Sequence, residues 1–179
     1  MNYLVSTHNV GTKQFNKKME FVLPSGDVCL VDEEDYYLFK KYRWSPYIMR
    51  GKKRYVVSQN IPNRNNKKVR LHRLILGVNN PKILVDHING NGFDNRKTNL
   101  RLCNCSQNKS NSKKQSINSS GYKGVFVVKR YNKERYVSYI RHNYKLYYLG
   151  VFDNKIDAAT AYNDGAKKYH GEFARLNDI

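Results

Sequence analysis

Asp86, His87 and Asn108 are the residues whose types and spacing best suit chemistry. Asp86 and His87 end an apolar run, and Asn108 follows twenty-one positions after His87. A carboxylate and an amide carbonyl are hard oxygen ligands, which suit magnesium or manganese. A neutral imidazole can take a proton from water, because its unperturbed pKa of about 6.5 is close to cellular pH. A metal ion with open positions can hold a phosphate oxygen and a leaving oxygen. The three residues therefore predict phosphodiester hydrolysis.

The elements around these residues follow the order strand, loop, strand, helix. The apolar run Ile83-Leu84-Val85 is followed by a turn rich in Asn and Gly, then by Leu100-Arg101-Leu102, and a helix can begin near Ser106. This order is typical of a compact ββα unit. Neighbouring residues on an ideal strand point to opposite faces. The sequence therefore predicts that Asp86 and His87 share a site only if the strand end is twisted or irregular.

The alternative is a hairpin in which these residues serve geometry alone. Asn89-Gly90 and Asn91-Gly92 are good turn dipeptides by themselves. An isolated Asp-His pair is more often structural than functional. The residues that follow Asp86 and His87 in the motif decide between a hydrolytic site and a purely structural hairpin.

The complete segment resembles the HNH nuclease motif, in the version found in phage and intron-encoded homing endonucleases. The resemblance rests on Asp86-His87-Ile88-Asn89-Gly90, Asp94-Asn95-Arg96, Asn99-Leu100-Arg101 and Gln107-Asn108. It implies that His87 is the general base and that Asp86 and Asn108 hold one divalent metal. It also implies that Asn99 pins the loop through hydrogen bonds. Because Asn108 stands where the motif name has a second His, this is an H-N-N variant.

The charge of the chain indicates a polyanionic partner. The formal net charge is +19, and no acidic residue lies between Asp35 and Asp86 or between Asp94 and Glu134. A run of charge is often only a solvated face, but two such tracts flank the nuclease motif, which favours phosphate contact. No apolar run approaches the length of a membrane span, and the first twenty residues lack the apolar core of a secretory signal. We therefore expect an intracellular protein that is not secreted and that binds double-stranded DNA.

The three cysteines, Cys29, Cys103 and Cys105, are too few and too irregularly spaced for a disulfide framework or a four-ligand zinc site. Zinc is therefore disfavoured, and magnesium is the expected metal, with manganese as the alternative.

The region before the motif divides into an extension, residues 1–20, and a β-rich, basic region, residues 21–82. Strands are predicted over Glu20–Asp27, Val28–Val31, Trp44–Tyr47 and Arg54–Gln59. Asp32 is predicted to cap a short helix that runs to Lys41. A second helix is predicted over Arg70–Leu76, with Gly77 as its stop. His72 lies on this helix, and a packing or phosphate role is favoured over catalysis.

The motif occupies residues 83–111, a basic linker residues 112–120, and a second kind of pattern residues 121–179. Strands rich in Val, Ile and Tyr are predicted over Lys123–Arg130, Glu134–Arg141 and Tyr144–Phe152. A helix is predicted over Lys155–Tyr169, with Asp153 or Asn154 as its cap, Gly171 as its end and an apolar stripe that faces the sheet.

This C-terminal part resembles the plant ethylene-response-factor (APETALA-type) DNA-binding domain. The resemblance rests on Tyr122-Lys-Gly-Val125, Ile140-Arg141, Leu149-Gly-Val-Phe152, Ala158-Ala-Thr-Ala-Tyr162, His170-Gly-Glu-Phe-Ala174 and Asn177. It implies that the exposed face of the sheet reads the major groove. Phe126 and Val128 replace two arginines of that family, so the base preference does not transfer. A structural or protein-binding module is the alternative. The candidate DNA contacts of the whole chain are Arg73, Arg96, Arg101, Lys109, Lys113, Lys114, Lys123, Arg135, Tyr139, Arg141, Lys145 and Tyr148.

The sequence therefore predicts an α+β protein with a small β-rich N-terminal region, a ββα-metal HNH motif, and a C-terminal three-stranded antiparallel sheet packed on one helix. The predicted function is a metal-dependent, sequence-preferring DNA endonuclease of homing type, a monomer or weak homodimer that nicks one strand. A restriction or defence nuclease and a DNA-binding regulator that does not cut are the alternatives.

Overall fold

A computed structural model of the chain describes residues 17–49, 52–62, 68–113, 118–131 and 133–179. Predictions for most of the N-terminal extension, for the middle of the linker and for Lys114 lie outside the described residues. The architecture is mixed α+β, as predicted, with two two-stranded and two three-stranded sheets among the described residues. No helix in the described ranges has both the length and the apolar character needed to cross a membrane.

The N-terminal region consists of a hairpin, a three-stranded sheet and two short helices. Its elements are β1 (Lys18–Val22), β2 (Val28–Asp32), α1 (Tyr37–Lys41), β3 (Ser45–Met49), β4 (Lys52–Ser58), β5 (Val69–Arg70) and α2 (Leu71–Ile75). Its apolar core contains Val31, Phe39, Trp44, Val56 and Leu71. The strands and α2 lie close to their predicted positions.

Two predictions for this region need correction in detail. The first strand begins at Lys18, so the predicted extension over residues 1–20 overlaps it. Asp32 is the N-cap residue of a 3-10 helix over Glu33–Asp35 that precedes α1, but its side chain makes no capping hydrogen bond; its carboxylate instead accepts from the Lys97 backbone N–H at 2.8 Å. Asp32 therefore fastens the N-terminal region to the central unit, because a buried carboxylate needs a hydrogen-bond donor.

The central unit has the predicted order of strand, loop, strand and helix. It comprises β6 (Leu84–His87), a 3-10 turn (Lys97–Asn99), β7 (Leu100–Cys103) and α3 (Cys105–Ser110). β6 and β7 pair antiparallel, with Asp86 opposite Arg101 and His87 opposite Leu100. A capping box fixes the start of α3, since the side chain of Asn104 accepts from the Gln107 N–H and Gln107 reciprocates.

The loop between β6 and β7 packs against the N-terminal region. The Leu30 N–H donates to the Phe93 carbonyl, and the Asn95 N–H donates to the Leu30 carbonyl, both at 2.8 Å. Gly92 lies against the backbone of β4, so closely that a Cβ there would be 1.7 Å from the Arg54 carbonyl oxygen. Only glycine allows this approach. The N-terminal region therefore sets the shape of the central loop.

The C-terminal sheet packs on one long helix, as predicted. It consists of β8 (Val125–Arg130), β9 (Lys133–His142) and β10 (Lys145–Phe152) in the order β10-β9-β8, and the helix is α4 (Lys155–His170). Asn154 caps α4 by accepting from the Asp157 N–H. Four residues of the predicted stripe, Ala158, Ala159, Tyr162 and Ala166, are buried against the sheet, and the fifth, Tyr169, is partly buried. Small side chains let the helix approach the sheet closely, so one sheet face is covered and the other is left for a partner.

Candidate active site and nucleic-acid interface

The carboxylate of Asp86 is buried and is held by three N–H donors. Arg101 donates to Oδ2 from Nε at 3.0 Å and from Nη2 at 2.8 Å. The Asn111 amide nitrogen lies 2.9 Å from Oδ2 and 3.1 Å from Oδ1. Among the described residues Oδ1 has this one partner, although a carboxylate oxygen can accept about two hydrogen bonds. Oδ1 therefore keeps the capacity to act as a metal ligand.

Asn111 connects the end of α3 to the end of β6. Its amide nitrogen also lies 2.9 Å from the His87 carbonyl oxygen and 3.2 Å from that of Ile88. The sequence analysis gave this residue no role. The available signal was its position three residues after Asn108, since residues spaced by three share a helix face.

Asn108 is exposed one turn earlier on the same helix. The structure brings the Asn111 side chain, and not that of Asn108, into hydrogen-bonding contact with Asp86. Asn111 presents its nitrogen to the carboxylate, and a nitrogen that donates hydrogen bonds cannot ligate a cation. The Asn108 amide is not engaged with Asp86 in this way, so it can still present its carbonyl oxygen.

His87 is buried, and its orientation is set by Asn95. Nε2 of His87 lies 3.3 Å from Oδ1 of Asn95. The amide nitrogen of Asn95 donates to the Cys29 sulfur and to the Gly92 carbonyl, each at 3.4 Å. Because the nitrogen is committed to these acceptors, Oδ1 must accept a proton from His87. The hydrogen-bond network thus assigns the proton to Nε2 and leaves Nδ1 as the basic nitrogen.

Burial lowers the pKa of His87, an effect opposed in part by the hydrogen bond to Asn95 and by the charges of Asp86 and Asp94. A lowered pKa keeps the imidazole neutral at cellular pH. The neutral form is the one that can accept a proton.

A second histidine packs against this ring. The rings of His72 and His87 are 5.0 Å apart and meet edge to face, and Tyr55 lies beside both. Burial lowers the pKa of His72 to about 3, so His72 is also neutral. The packing role that the sequence favoured for His72 is therefore packing onto the ring of His87, supplied by α2.

Asp86 and His87 contact different neighbours, as consecutive residues of a strand should. Asp86 faces Arg101 and Asn111, whereas His87 faces Asn95 and the two N-terminal rings. The pairing of β6 with β7 runs through both residues without a register shift. The pairing thus shows no bulge, and Asn111 joins the two positions by contacting the carboxylate of one and the carbonyl of the other.

Asn99 holds the loop from inside. Its Oδ1 accepts from the Asn89 N–H at 3.0 Å, and its amide nitrogen donates to the Asn89 Oδ1 and to the Asp94 carbonyl at 3.0 and 2.7 Å. Three hydrogen bonds from one buried side chain fix the turn that carries Asn95. Asn99 thus lies in the position that the resemblance gave it.

The C-terminal part reaches the same site. Arg101 donates from Nη1 to the Glu172 carbonyl at 2.6 Å, and its guanidinium lies 4.0 Å from the Phe173 ring. Arg175 donates to the Asn89 carbonyl at 3.1 Å. The side chain that holds Asp86 is therefore itself held by residues about seventy positions away. The sequence analysis predicted none of these contacts.

Three predicted DNA contacts are engaged inside the protein. Arg73 donates to the carbonyls of Ile83 and Asn80, Arg96 donates twice to Asp94, and Arg101 holds Asp86. Each guanidinium thus has a structural partner, and DNA contact by these three residues stays a prediction. Arg135 is also paired, with Asp153 at 3.2 Å.

Two of the other candidate DNA contacts, Tyr139 and Tyr148, belong to an aromatic row on the C-terminal sheet. Phe126, Tyr139 and Tyr148 form a row across the three C-terminal strands, with ring centres 6.0 and 5.5 Å apart. The basic candidates near this row or on α3 and the segment after it are Lys109, Lys113, Lys123, Arg141 and Lys145. An exposed aromatic row with basic neighbours can bind nucleic acid through stacking and charge.

The carboxylates of Asp32, Glu34 and Asp35 also lie close together, with ligand atoms within 4.8 Å. Lys97 occupies this group, because its ammonium contacts Glu34 at 2.5 Å and Asp35 at 3.3 Å. These carboxylates neutralise a lysine of the central unit, so the group is a structural one.

A ββα unit with a buried neutral histidine, a carboxylate on the preceding residue and an asparagine on the helix has the arrangement of an HNH-type motif. An uncharacterized HNH endonuclease of Acanthamoeba polyphaga mimivirus is 31% identical to this chain over 159 residues, which cover 86% of this chain and 76% of the relative. The chain belongs to the HNH endonuclease family. Members of that family generally use a divalent metal, and DNA is the implied substrate. No protein-family model and no solved structure matches the chain.

Substituting Asn95→Ala should reduce DNA nicking about ten- to a hundredfold, the usual effect of removing the partner that orients a functional histidine. The His87 ring would lose its acceptor, while DNA affinity should stay unchanged. The ¹⁵N chemical shifts of the His87 ring provide a test that is independent of the rate. They should show a protonated Nε2 and a bare Nδ1 in the unmodified protein. A protonated Nδ1 would contradict the assignment.

Substituting Phe173→Leu should lower the single-turnover nicking rate at saturating DNA. The contact between a guanidinium and a ring is worth about 0.5–2 kcal/mol, or about two- to thirtyfold, and Arg101 would be held less firmly beside Asp86. Phe152→Leu is the matched control, because Phe152 packs in the C-terminal core away from Arg101. Equal rates for the two variants after correction for stability would show that Phe173 does not support the site.

Proposed function

We propose that this protein is a DNA endonuclease that hydrolyses a phosphodiester bond with a divalent metal, magnesium before manganese, and with His87 as general base. The observation that carries the proposal is a buried, neutral His87 whose Nε2 is committed to Asn95. Its Nδ1 is thereby left as the basic nitrogen, and the negative charge of Asp86, the preceding residue, favours uptake of a proton there. Membership of the HNH endonuclease family supports the same chemistry.

In this proposal Nδ1 of His87 takes a proton from the attacking water. Asn95 keeps the ring in the basic tautomer, and His72 packs against it, so the ring does not have to reorient during proton transfer. Asn99 keeps the loop rigid beneath them. The donor set fits a hard cation: Oδ1 of Asp86 has spare acceptor capacity, and Asn108 is an exposed amide on the adjacent helix. When bound there, a divalent metal would stabilise the charge on the phosphate and the leaving oxygen.

The C-terminal sheet is proposed to position the enzyme on double-stranded DNA. Its exposed face carries the row of Phe126, Tyr139 and Tyr148, with Lys145 and Arg141 nearby. The resemblance to the plant ethylene-response-factor domain supports the same assignment. Such a face supplies site preference, because base contacts specify whereas phosphate contacts only position.

One nuclease motif in the chain favours a nick in one strand. The protein is proposed to act inside a host cell, where its DNA target lies. A homing role and a restriction role use the same chemistry and are separated by the target. The C-terminal part does more than aim the enzyme, since it also holds Arg101. A chain shortened to residue 118 should therefore lose cleavage rate as well as selectivity, unlike two modules joined only by a tether.

The His87→Ala variant should nick supercoiled plasmid about 10²–10⁴-fold more slowly, the usual effect of losing a positioned general base. DNA affinity, measured by gel shift at matched salt, should change little. His142→Ala removes a histidine from the C-terminal sheet and should keep the normal rate. Undiminished nicking by His87→Ala would rule out His87 as the base. If the unmodified protein binds DNA but nicks with neither magnesium nor manganese, the protein is instead a non-cutting DNA-binding regulator.

Substituting Asn108→Ala should raise the magnesium concentration needed for half-maximal nicking without lowering thermal stability, because the side chain is exposed. Asn111→Ala should instead lower stability, because it leaves buried acceptors on β6 without their donor. Excess chelator should abolish nicking by the unmodified protein. Full activity in chelator, or an unchanged metal requirement for Asn108→Ala, would contradict the metal assignment.

A further inference from the structure

A cavity of about 310 Å³ lies between α3 and the end of the C-terminal sheet. Lys109 and Ser110 line it from α3, and Lys123, Tyr139 and Arg141 line it from the opposite side. The two walls therefore come from the catalytic unit and from the proposed DNA-positioning module. Nothing in the catalytic mechanism above uses this space.

The charge of the cavity suits an anion. Lys109, Lys123 and Arg141 contribute to the lining, and the described residues that line it include no acidic side chain. Lys123 is the most enclosed of the three cations. Its ammonium donates to the Ser110 carbonyl at 2.5 Å and lies 5.9 Å from the Tyr162 ring, and burial lowers its pKa to about 8. A cation enclosed without a carboxylate partner favours a ligand that brings negative charge.

The cavity also offers aromatic surface. Phe126, Tyr139 and Tyr144 line it, and the rings of Phe126 and Tyr139 meet edge to face at 6.0 Å. Aromatic side chains stack with nucleobases of any sequence, at about 1–3 kcal/mol per base. Phosphate-binding cations beside aromatic rings match the two halves of a nucleotide.

The size of the cavity limits its occupant to one nucleotide. A volume near 300 Å³ is at the lower end of small-ligand pockets and is far too small for a duplex. A base that is stacked inside a duplex cannot enter, whereas a base turned out of the stack can. The wall residue Ser110 precedes Asn111, which holds Asp86. The occupant would therefore lie close to the site of cleavage.

We propose that this cavity receives one unstacked nucleotide of the bound DNA, with its phosphate toward Lys109, Lys123 and Arg141 and its base against Tyr139. The inference rests on the proposed function, since it concerns the same substrate. It adds a requirement that groove reading alone does not have: the DNA must open at one position when the enzyme binds.

The test measures the affinity of full-length His87→Ala protein, which leaves the DNA intact, for duplexes that carry one mismatch at each position around the mapped nick. A mismatch lowers the cost of turning a base out of the stack. At one position near the nick it should tighten binding about tenfold or more. The gain should disappear in Tyr139→Ala. It should persist in Tyr148→Ala, because Tyr148 lies on the same sheet face but outside the cavity.

Arg141→Gln should weaken binding of matched and mismatched duplexes equally, as expected for a phosphate contact. No gain at any position, or a gain that survives Tyr139→Ala, would overturn the inference while leaving the nuclease proposal intact. If the mismatch gain is absent, or survives Tyr139→Ala, and Arg141→Gln still weakens binding, the cavity holds only a backbone phosphate. Failure of the unmodified protein to nick DNA would count against the proposed function itself and not against the binding of an unstacked nucleotide.

Discussion

The buried carboxylate of Asp86 needs its donors, and much of the structure around it provides them. A buried charge without partners is costly, and breaking a buried ion pair by removing one member costs about 3–5 kcal/mol. Arg101 supplies the countercharge from the opposite strand and Asn111 supplies an amide from the helix. Arg101 is in turn held by Glu172 and Phe173 at the end of the C-terminal helix. The strands β6 and β7, the helix α3 and the C-terminal part are thus joined through one charged group.

His87, on the other side of the same strand, depends on the N-terminal region. Its ring is packed by His72 and Tyr55, and its tautomer is set by Asn95, whose amide is fixed in part by Cys29. Asp86 and His87 are adjacent in the chain, yet each is supported by a different end of the protein. This division follows from the alternation of a strand, which places consecutive side chains on opposite faces. As a result, the small ββα unit is stabilised by contacts with both the N-terminal region and the C-terminal part.

Much of this arrangement could be predicted from the sequence, because it depends on short-range patterns. The strand that ends at His87, the turn with Asn99 and the stripe of α4 all have clear periodicity or turn chemistry. The role of Asn111 could not be predicted. Which of two asparagines one turn apart reaches a carboxylate depends on where α3 begins, and the capping box at Asn104 sets that point. Arginine is equally difficult to interpret from sequence, since nothing pairs Arg101 with Asp86 until the strand register places the two residues opposite each other.

The contact of Gly92 with the Arg54 carbonyl has a consequence for engineering. A loop whose backbone touches another strand cannot be moved between proteins as an independent cassette, because its conformation is partly templated by that strand. Chimeric nucleases made from this chain would have to exchange β4 and the loop together and keep glycine at the point of contact. The segment that must be exchanged is therefore larger than the nuclease motif and begins before it, at β4.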